Sequence, residues 1–61
     1  MIEKKLKCVC IFPYNYGRGK LEAGVEYIVY KCYDGFYRVC GLALDKFDFK
    51  NLFDIKEEIK D

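Results

Sequence analysis

The chain has 61 residues, enough for a single domain over residues 1–61, and a hydrophobic fraction of 52% argues for a folded rather than a disordered chain. His, Ser, Thr, Gln and Trp are absent, which removes the hydroxyl nucleophiles, the imidazole base and most metal sites, so we expect neither an enzyme nor a bound cofactor. A net charge of +1 and the lack of any apolar run near the roughly 20 residues that span a bilayer predict a cytoplasmic protein without a membrane partner.

The first predicted element is a strand over residues 4–12, where apolar and polar residues alternate for most of the length. One face of this strand carries Leu6, Cys8, Cys10 and Phe12, and the first three are predicted to lie in the core. Lysines at the start of the strand are typical of residues that discourage edge-to-edge aggregation.

A turn-rich segment follows, predicted as a loop of roughly eight residues over 13–20, and loops of this size commonly carry binding residues. Its Gly-Arg-Gly-Lys run lacks the hydroxyl residue and the following helix of a phosphate-binding P-loop, which excludes nucleotide hydrolysis. Backbone amides with Arg18 and Lys20 could still hold an anion, and Tyr14 and Tyr16 could stack on a base or pack on a partner. The alternative is a solvated loop whose tyrosines lie back on the domain.

Two β-rich runs flank Asp34-Gly35, and an Asp-Gly pair in this setting predicts a β-hairpin. A two-residue loop would set Lys31 opposite Arg38, and like charges directly opposite each other are unfavourable. We therefore prefer a three-residue loop over residues 33–35, a type I turn closed by a left-handed glycine. This register pairs Val29 with Val39, Ile28 with Cys40 and Lys31 with Tyr37.

The same register sorts the hairpin residues onto two faces, because strand side chains alternate. The face predicted to point inward carries Tyr27, Val29, Val39 and Gly41. The other face carries Ile28, Tyr30, Cys32, Phe36, Arg38 and Cys40. Since both faces are largely apolar, either the hairpin lies inside a small barrel or its second face meets a partner. Self-association through Ile28, Tyr30 and Phe36 would be one such arrangement.

The rest of the chain predicts short elements and a tail. Residues 42–44 cross over to a fourth strand at residues 45–49, where apolar residues again alternate. A single 3₁₀ turn at residues 50–53 leads to a short last strand at residues 53–55. The charged residues 56–61 are expected to form a frayed tail or one helical turn.

The four cysteines are predicted to be structural. Cys8 and Cys10 have C-x-C spacing, Cys32 and Cys40 are seven intervening residues apart in the hairpin, and neither pair matches the knuckles of a four-thiolate zinc site. A cytosolic chain keeps its thiols reduced, and a buried cysteine behaves as a small hydrophobe. A metal site and a functional disulfide are the alternatives.

Three segments resemble small SH3-like proteins that are common in phages and Firmicutes: Leu6-Lys7-Cys8-Val9, Ala23-Gly24-Val25-Glu26-Tyr27-Ile28-Val29 and Asp34-Gly35-Phe36-Tyr37-Arg38-Val39. Lys50-Asn51-Leu52-Phe53 is similar to the K-x-x-F ending of those proteins, so the resemblance covers most of residues 5–53. Residues 40–44 depart from it, because an Asp-Asn-Gly turn is common there. The resemblance implies an all-β fold, a small five-stranded SH3-like barrel with a 3₁₀ turn before the last strand. It implies no single activity, since one fold hosts unrelated functions.

These observations favour a non-enzymatic protein-binding module, phage- or prophage-derived, that binds and inhibits a host protein or a defence system. One alternative is an oligomeric sponge that sequesters a nucleotide or another small anion. A second alternative is a nucleic-acid-binding protein that uses the first strand and its loop, because residues 1–20 hold five basic residues and one acid. The candidate residues for binding a partner or ligand are Tyr14, Tyr16, Arg18, Lys20, Tyr30, Phe36 and Arg38.

Overall fold

The computed structural model describes residues 2–17 and 19–60, which form seven strands and one helix. In chain order these are β1 (Ile2–Cys10), β2 (Tyr14–Asn15), β3 (Lys20–Leu21), β4 (Glu26–Cys32), β5 (Tyr37–Val39), β6 (Leu42–Leu44), α1 (Lys46–Leu52) and β7 (Phe53–Ile59). Five strands form one antiparallel sheet in the order β6-β5-β4-β1-β7, and β2 and β3 form a separate hairpin. Within the described ranges no pairing joins β6 to β7, so the sheet is open and the closed barrel that the sequence predicts is not found.

Strand β1 pairs with β4 on one side and with the edge strand β7 on the other, and its predicted core face is confirmed for three residues. Leu6, Cys8 and Cys10 are all buried. The prediction that the strand continues to Phe12 is wrong, because β1 ends at Cys10. The Phe12 side chain, which was not among the predicted core residues, is 61% exposed. Just past the β1–β7 pairs the Ile11 amide still donates to the Leu52 carbonyl oxygen at 2.7 Å, and Phe12 lies beyond this bond.

The hairpin between β4 and β5 has the predicted register, with Tyr30 opposite Arg38 and Lys31 opposite Tyr37. Gly35 has a φ of 90°, which a glycine adopts without the steric cost that a Cβ brings, and its amide donates to the Cys32 carbonyl oxygen at 3.0 Å. The three-residue loop is therefore confirmed.

The predicted pair between Ile28 and Cys40 is wrong, because β5 ends at Val39. Cys40 and Gly41 have φ values of 50° and 81° and connect Val39 to its partner Leu42. Positive φ at both central residues is what a two-residue type I′ hairpin turn requires. A second hairpin between β5 and β6 thus begins where the sequence predicts a continuing strand.

The two faces of the hairpin differ in burial as predicted, with two exceptions. Gly41 is predicted to point inward, but it lies exposed in the turn after β5. Val29 and Val39 lie in the core, while Ile28 and Phe36 on the other face are exposed. Cys32 also belongs to that other face, yet it is buried and lies outside the main core cluster. We define the outer face of the sheet as the side that carries Ile28 and Tyr30, opposite the core.

The strand predicted at residues 45–49 and the 3₁₀ turn after it are wrong, because this segment forms the helix α1. Asp45 is its N-cap, and its Oδ1 atom accepts a hydrogen bond from the Asp48 amide at 2.8 Å. Such a cap satisfies a backbone donor that the first helical turn leaves free. Phe47 and Phe49 would share one face of a strand. In the helix they point to different sides, so Phe49 is buried while Phe47 is 77% exposed.

The C-terminal segment is predicted to form a short strand at residues 53–55 followed by a frayed tail or one helical turn, and both alternatives are wrong for residues 56–59. Strand β7 continues to Ile59, which lies opposite Lys5 on β1. Exposed ion pairs link these strands, from Lys4 Nζ to Glu58 Oε1 and from Lys7 Nζ to Glu57 Oε1, each at 3.7 Å. The basic start of the chain therefore lies beside its acidic end.

The core lies between the inner face of the sheet and the segments that cover it. Strand β3 contributes Leu21, β6 contributes Leu44 and α1 contributes Phe49. The rings of Tyr37 and Phe49 stack with centroids 4.0 Å apart and planes at 2° to each other. The small hairpin and the helix are thus attached to the sheet by buried side chains, which fixes the position of the segments around them. The remaining members of the cluster are Leu6, Cys8, Cys10, Val29, Val39 and Phe53.

Candidate functional site

The segment predicted as a loop at residues 13–20 is partly a hairpin, in which Tyr14 pairs with Leu21 and Asn15 pairs with Lys20. The Tyr16 amide donates to the Gly19 carbonyl oxygen at 3.1 Å, which closes the turn. Leu21 is fully buried, so the hairpin is held against the core at its last residue. Arg18, one of the predicted binding residues, lies outside the described residues.

The two tyrosines of this hairpin have different environments, although their rings are stacked with centroids 6.2 Å apart. Tyr16 packs against the core and its hydroxyl donates to the Cys40 carbonyl oxygen at 3.3 Å. Tyr14 is exposed and lies on the groove side of the hairpin. Tyr16 therefore lies back on the domain and supports Tyr14, which is free to contact a partner.

Four consecutive apolar residues, Ile11, Phe12, Pro13 and Tyr14, are exposed at this position. We call residues 11–14 the apolar segment. Beside it lies an open groove of about 350 Å³. The groove is lined by Pro13, Tyr14, Asn15, Lys20, Leu21, Glu22 and Ala23.

Ile11 and Phe12 were not among the predicted binding residues, because the strand alternation placed them within β1. The signal that could have found them is the proline at position 13, which lacks a backbone donor and therefore tends to end a strand. Apolar residues just before such a proline lie outside the alternation that would bury them.

The groove carries charges of both signs. Lys20 Nζ lies 3.6 Å from Glu22 Oε1, and both side chains are largely exposed. Lys20 is therefore partly neutralised, which weakens the predicted anion site around it. On β1, Lys4 and Lys7 have the same kind of partner on β7, so much of the basic charge of the first strand is balanced locally.

The other predicted binding residues lie on the outer face of the sheet, away from the groove. Tyr30 and Arg38 are cross-strand neighbours there, and Phe36 is exposed at the end of the β4–β5 loop. The Arg38 guanidinium contacts both carboxylate oxygens of Asp34, with distances of 2.9 Å from Nη2 to Oδ2 and 3.4 Å from Nη1 to Oδ1. This contact lowers the pKa of Asp34, as does the amide of Phe36, which donates to the same carboxylate.

All four cysteines are free thiols, three of them buried and Cys40 exposed. Burial raises the pKa of the Cys8 thiol to about 11 and also raises the pKa of Cys10, so both are neutral near pH 7. No group of three or more His, Cys, Asp or Glu side chains within residues 2–17 and 19–60 is placed to hold a metal ion. Cys8 and Cys10 therefore act as small apolar side chains in the core cluster.

No protein-family model matches the chain, no curated protein is significantly similar to it, and no solved structure matches its fold significantly. In the part of the chain that the structure describes, no helix has the length and apolar character needed to cross a membrane. The site must therefore be interpreted from its own residues, namely a stacked tyrosine pair, an exposed apolar segment and a groove with balanced charge.

Proposed function

We propose that the chain is a non-enzymatic protein-binding module that contacts its partner through the apolar segment and the adjoining groove. The observation that carries this proposal is the exposure of four consecutive apolar residues, Ile11 to Tyr14. Exposing an apolar run of that length to water is unfavourable, so its presence on the surface indicates a function. Contiguous exposed apolar surface on a small domain is typical of interaction sites.

The chemistry of the segment suits a protein partner. Phe12 is 61% exposed, and burying an aromatic side chain of this kind in a partner's pocket gives large contact area at low conformational cost. Tyr14 adds a ring already held in place by stacking on Tyr16. Lys20 and Glu22 lie at the groove, where polar rim residues commonly set register and exclude wrong partners.

We further infer that the fold is an open variant of an SH3-like module. The features that support this inference are the first strand, the tight β4–β5 hairpin and a short helical segment directly before the last strand. The resemblance to phage and Firmicutes proteins extends the proposal to the partner, which would be a host enzyme or a component of a defence system that the chain inhibits by occupying its surface.

The two alternatives have less support from the site. A nucleotide sponge would rely on Lys20, which already has Glu22 as a partner. A nucleic-acid-binding surface on the first strand would rely on lysines such as Lys4 and Lys7, which pair with glutamates on β7. Such pairs reduce the number of cations free to replace the counterions of a nucleic acid.

The test is affinity capture with the tagged chain from a host lysate, followed by titration of the captured and purified protein against variants. Phe12→Ser and Tyr14→Ala should each weaken binding by about thirtyfold or more, the loss typical of an aromatic hot spot. Tyr33→Ala is the matched control, because Tyr33 is 66% exposed and lies in the β4–β5 loop. The Cys10 amide donates to the Val25 carbonyl oxygen, so the apolar segment follows a contact with the residue just before β4. Tyr33 lies past the other end of β4 and is therefore remote from the apolar segment.

Melting curves must show that each variant is folded. Equal losses for Tyr33→Ala and Tyr14→Ala, or no loss for Phe12→Ser, would refute the proposed surface. Two further measurements test the two alternative functions. A melting temperature that rises across a nucleotide panel would favour the sponge, and binding to DNA or RNA that falls steeply with salt would favour nucleic acid.

A further inference from the structure

The outer face of the sheet, opposite the core, has an ordered arrangement of charge. Cross-strand pairing places Arg38, Tyr30 and Lys5 side by side in one row, with Ile59 at its end. The next row carries Ile28, Lys7 and Glu57, and the third carries Glu26, Val9 and Asp54. We call these the basic, middle and acidic rows.

The charges of the basic and acidic rows are only partly balanced within the molecule. Arg38 contacts Asp34 and Asp54 contacts Lys56, whereas no ion pair to Lys5 or Glu26 is found among the described residues. The apolar side chains between them remain accessible in part. Ile28 is exposed in the middle row, and Tyr30, Val9 and Ile59 are half-buried around it. The face therefore combines partly accessible apolar side chains, an internal Lys7–Glu57 ion pair in its middle row and opposite charges at its two ends.

We propose that this face binds a second copy of the chain, forming a two-fold symmetric dimer in which the two sheets pack face to face. The symmetry axis runs across the strands through Ile28. A rotation of 180° about this axis places the acidic row of one copy over the basic row of the other. The Glu26 carboxylate of the second copy then lies over Tyr30, between Arg38 and Lys5. Two such contacts form, one at each end of the interface.

The middle row is compatible with the same axis. Ile28 of one copy meets Ile28 of the other. Lys7 and Glu57 also lie on the axis, so each faces its own copy, and the Lys7–Glu57 ion pair within each copy, with the diagonal contacts between copies, offsets these like-charge contacts. Two antiparallel sheets commonly pack with their strand directions close to aligned and their faces about 10 Å apart, which leaves room for these side chains. A self-complementary patch of this kind is what a two-fold dimer requires.

The size of the face sets the strength of the dimer. The two longest extents of the molecule, 28 and 21 Å, limit the face to roughly 600 Å² in projection, below the ~800 Å² per partner of a standard interface. We therefore expect reversible dimerisation in the micromolar-to-millimolar range. The groove beside the apolar segment lies on the other side of the sheet, because Leu21 of the β2–β3 hairpin packs into the core on the inner face. Ile11 follows Val9 by two residues at the end of β1, so the two surfaces approach each other there. The dimer is therefore tested at Lys5 and Glu26, which belong to neither the apolar segment nor its groove, and its failure is distinguishable from failure of the proposed function.

The test is sedimentation equilibrium of the full chain at several concentrations, with charge reversals at Lys5 and Glu26, for which the described residues offer no ion pair. Lys5→Glu and Glu26→Lys should each weaken dimerisation by about tenfold or more, because each sets like charges against each other twice across the axis. The double variant restores opposite charges in the reverse order and should recover most of the lost affinity. Lys46→Glu on α1, away from the outer face, is the control and should leave dimerisation unchanged.

Circular dichroism should show that all four variants retain the native spectrum. A wild-type chain that remains monomeric up to about 1 mM would overturn the proposal, since even a weak interface is populated at that concentration. Failure of the double variant to recover affinity, or an equal loss in Lys46→Glu, would also overturn it.

Discussion

The Cys8 thiol provides a quantitative test of how the core is built. Cys8 is fully buried on β1, and desolvation raises the pKa of its thiol from 9.0 to about 11, with a further contribution from the negative charge of Asp54. In the unfolded chain the thiol is hydrated and has its ordinary pKa. The folded and unfolded states therefore hold different numbers of protons over a window between those two pKa values, and stability depends on pH in that window.

The sign follows from which state loses its proton first. Below pH 9.0 both states hold the proton and the thiol contributes no pH dependence. Between pH 9.0 and about 11 the unfolded chain ionises while the folded chain does not, so stability falls as pH rises. Two pKa units correspond to about 2–3 kcal/mol in total, and about 2 kcal/mol is lost by pH ~10.5. A domain of this size has roughly 3–5 kcal/mol of net stability, so the effect is large.

The assay is urea unfolding followed by circular dichroism at about pH 8 and about pH 10.5, for the wild type and for Cys8→Ala. Tyrosines and lysines also titrate in this range, so the quantity to compare is the difference between the two proteins. The variant should start from a lower stability, because it leaves a cavity, but should lose about 2 kcal/mol less over the pH interval. Equal losses in both proteins would show that Cys8 is not desolvated as the structure indicates.

Three further predictions concern single residues. Asp45→Ala should lower the free energy of unfolding by about 1 kcal/mol, because it removes the N-cap acceptor of the Asp48 amide, and an unchanged urea midpoint would contradict the helix start. Gly35→Ala should cost about 1–2 kcal/mol at a φ of 90°, and Gly35→Asn less, because asparagine tolerates the left-handed region; equal melting temperatures for both variants would argue against that turn. A thiol reagent should modify Cys40 rapidly in the native chain and all four cysteines only in denaturant, whereas rapid native modification of a second thiol would contradict the burial of the others.

The parts of the fold that the sequence predicts correctly depend on short-range signals. The Asp-Gly turn and the repulsion between Lys31 and Arg38 determine the register of the β4–β5 hairpin without any knowledge of the rest of the chain. The alternation in β1 predicts the burial of Leu6 and Cys8 in the same way. These signals succeed because each is a property of one hairpin or one strand.

The errors occur where long-range contacts decide the structure. Phe47 and Phe49 alternate as in a strand, but Asp45 caps a helix whose buried side is set by contact of Phe49 with Tyr37. The i, i+3 spacing of Phe49 and Leu52, which both pack in or against the core, was a helical signal that the alternation obscured. Strand β7 is too charged to be recognised locally, since its partner β1 supplies both its hydrogen bonds and its counter-charges.

For the candidate site, too, the sequence predicts what depends on local patterns and misses what depends on long-range contacts. Tyr14, Tyr16 and Lys20 were predicted from the turn-rich composition, and the structure brings them together on one hairpin. Tyr30 and Arg38 were predicted from the hairpin register, and they are neighbours on the outer face. The two groups lie on opposite sides of the sheet, which no local pattern indicates. Ile11 and Phe12 were missed because the point at which β1 ends depends on hydrogen bonds to Val25 and Leu52.

The C-terminal strand offers a direct comparison between the sequence-based prediction and the structure. If residues 56–61 were a frayed tail, a chain ending at Ile55 would be as stable as the full chain. The structure instead pairs Lys7 with Glu57, Leu6 with Glu58 and Lys5 with Ile59. Truncation after Ile55 removes these pairs together with the two exposed ion pairs and uncovers one side of β1.

Each backbone hydrogen bond lost contributes about 1 kcal/mol net, and each exposed ion pair contributes less, so the truncation should cost about 3 kcal/mol or more. That is most of the roughly 3–5 kcal/mol available, and we expect a chain ending at Ile55 to be largely unfolded at 25 °C. A chain ending at Ile59 retains every β1–β7 pair and serves as the control, with a melting temperature close to that of the full chain. A cooperative, native-like transition in the shorter chain would show that the pairing of residues 57–59 contributes little, since β1 would then tolerate a free edge over residues 5–7.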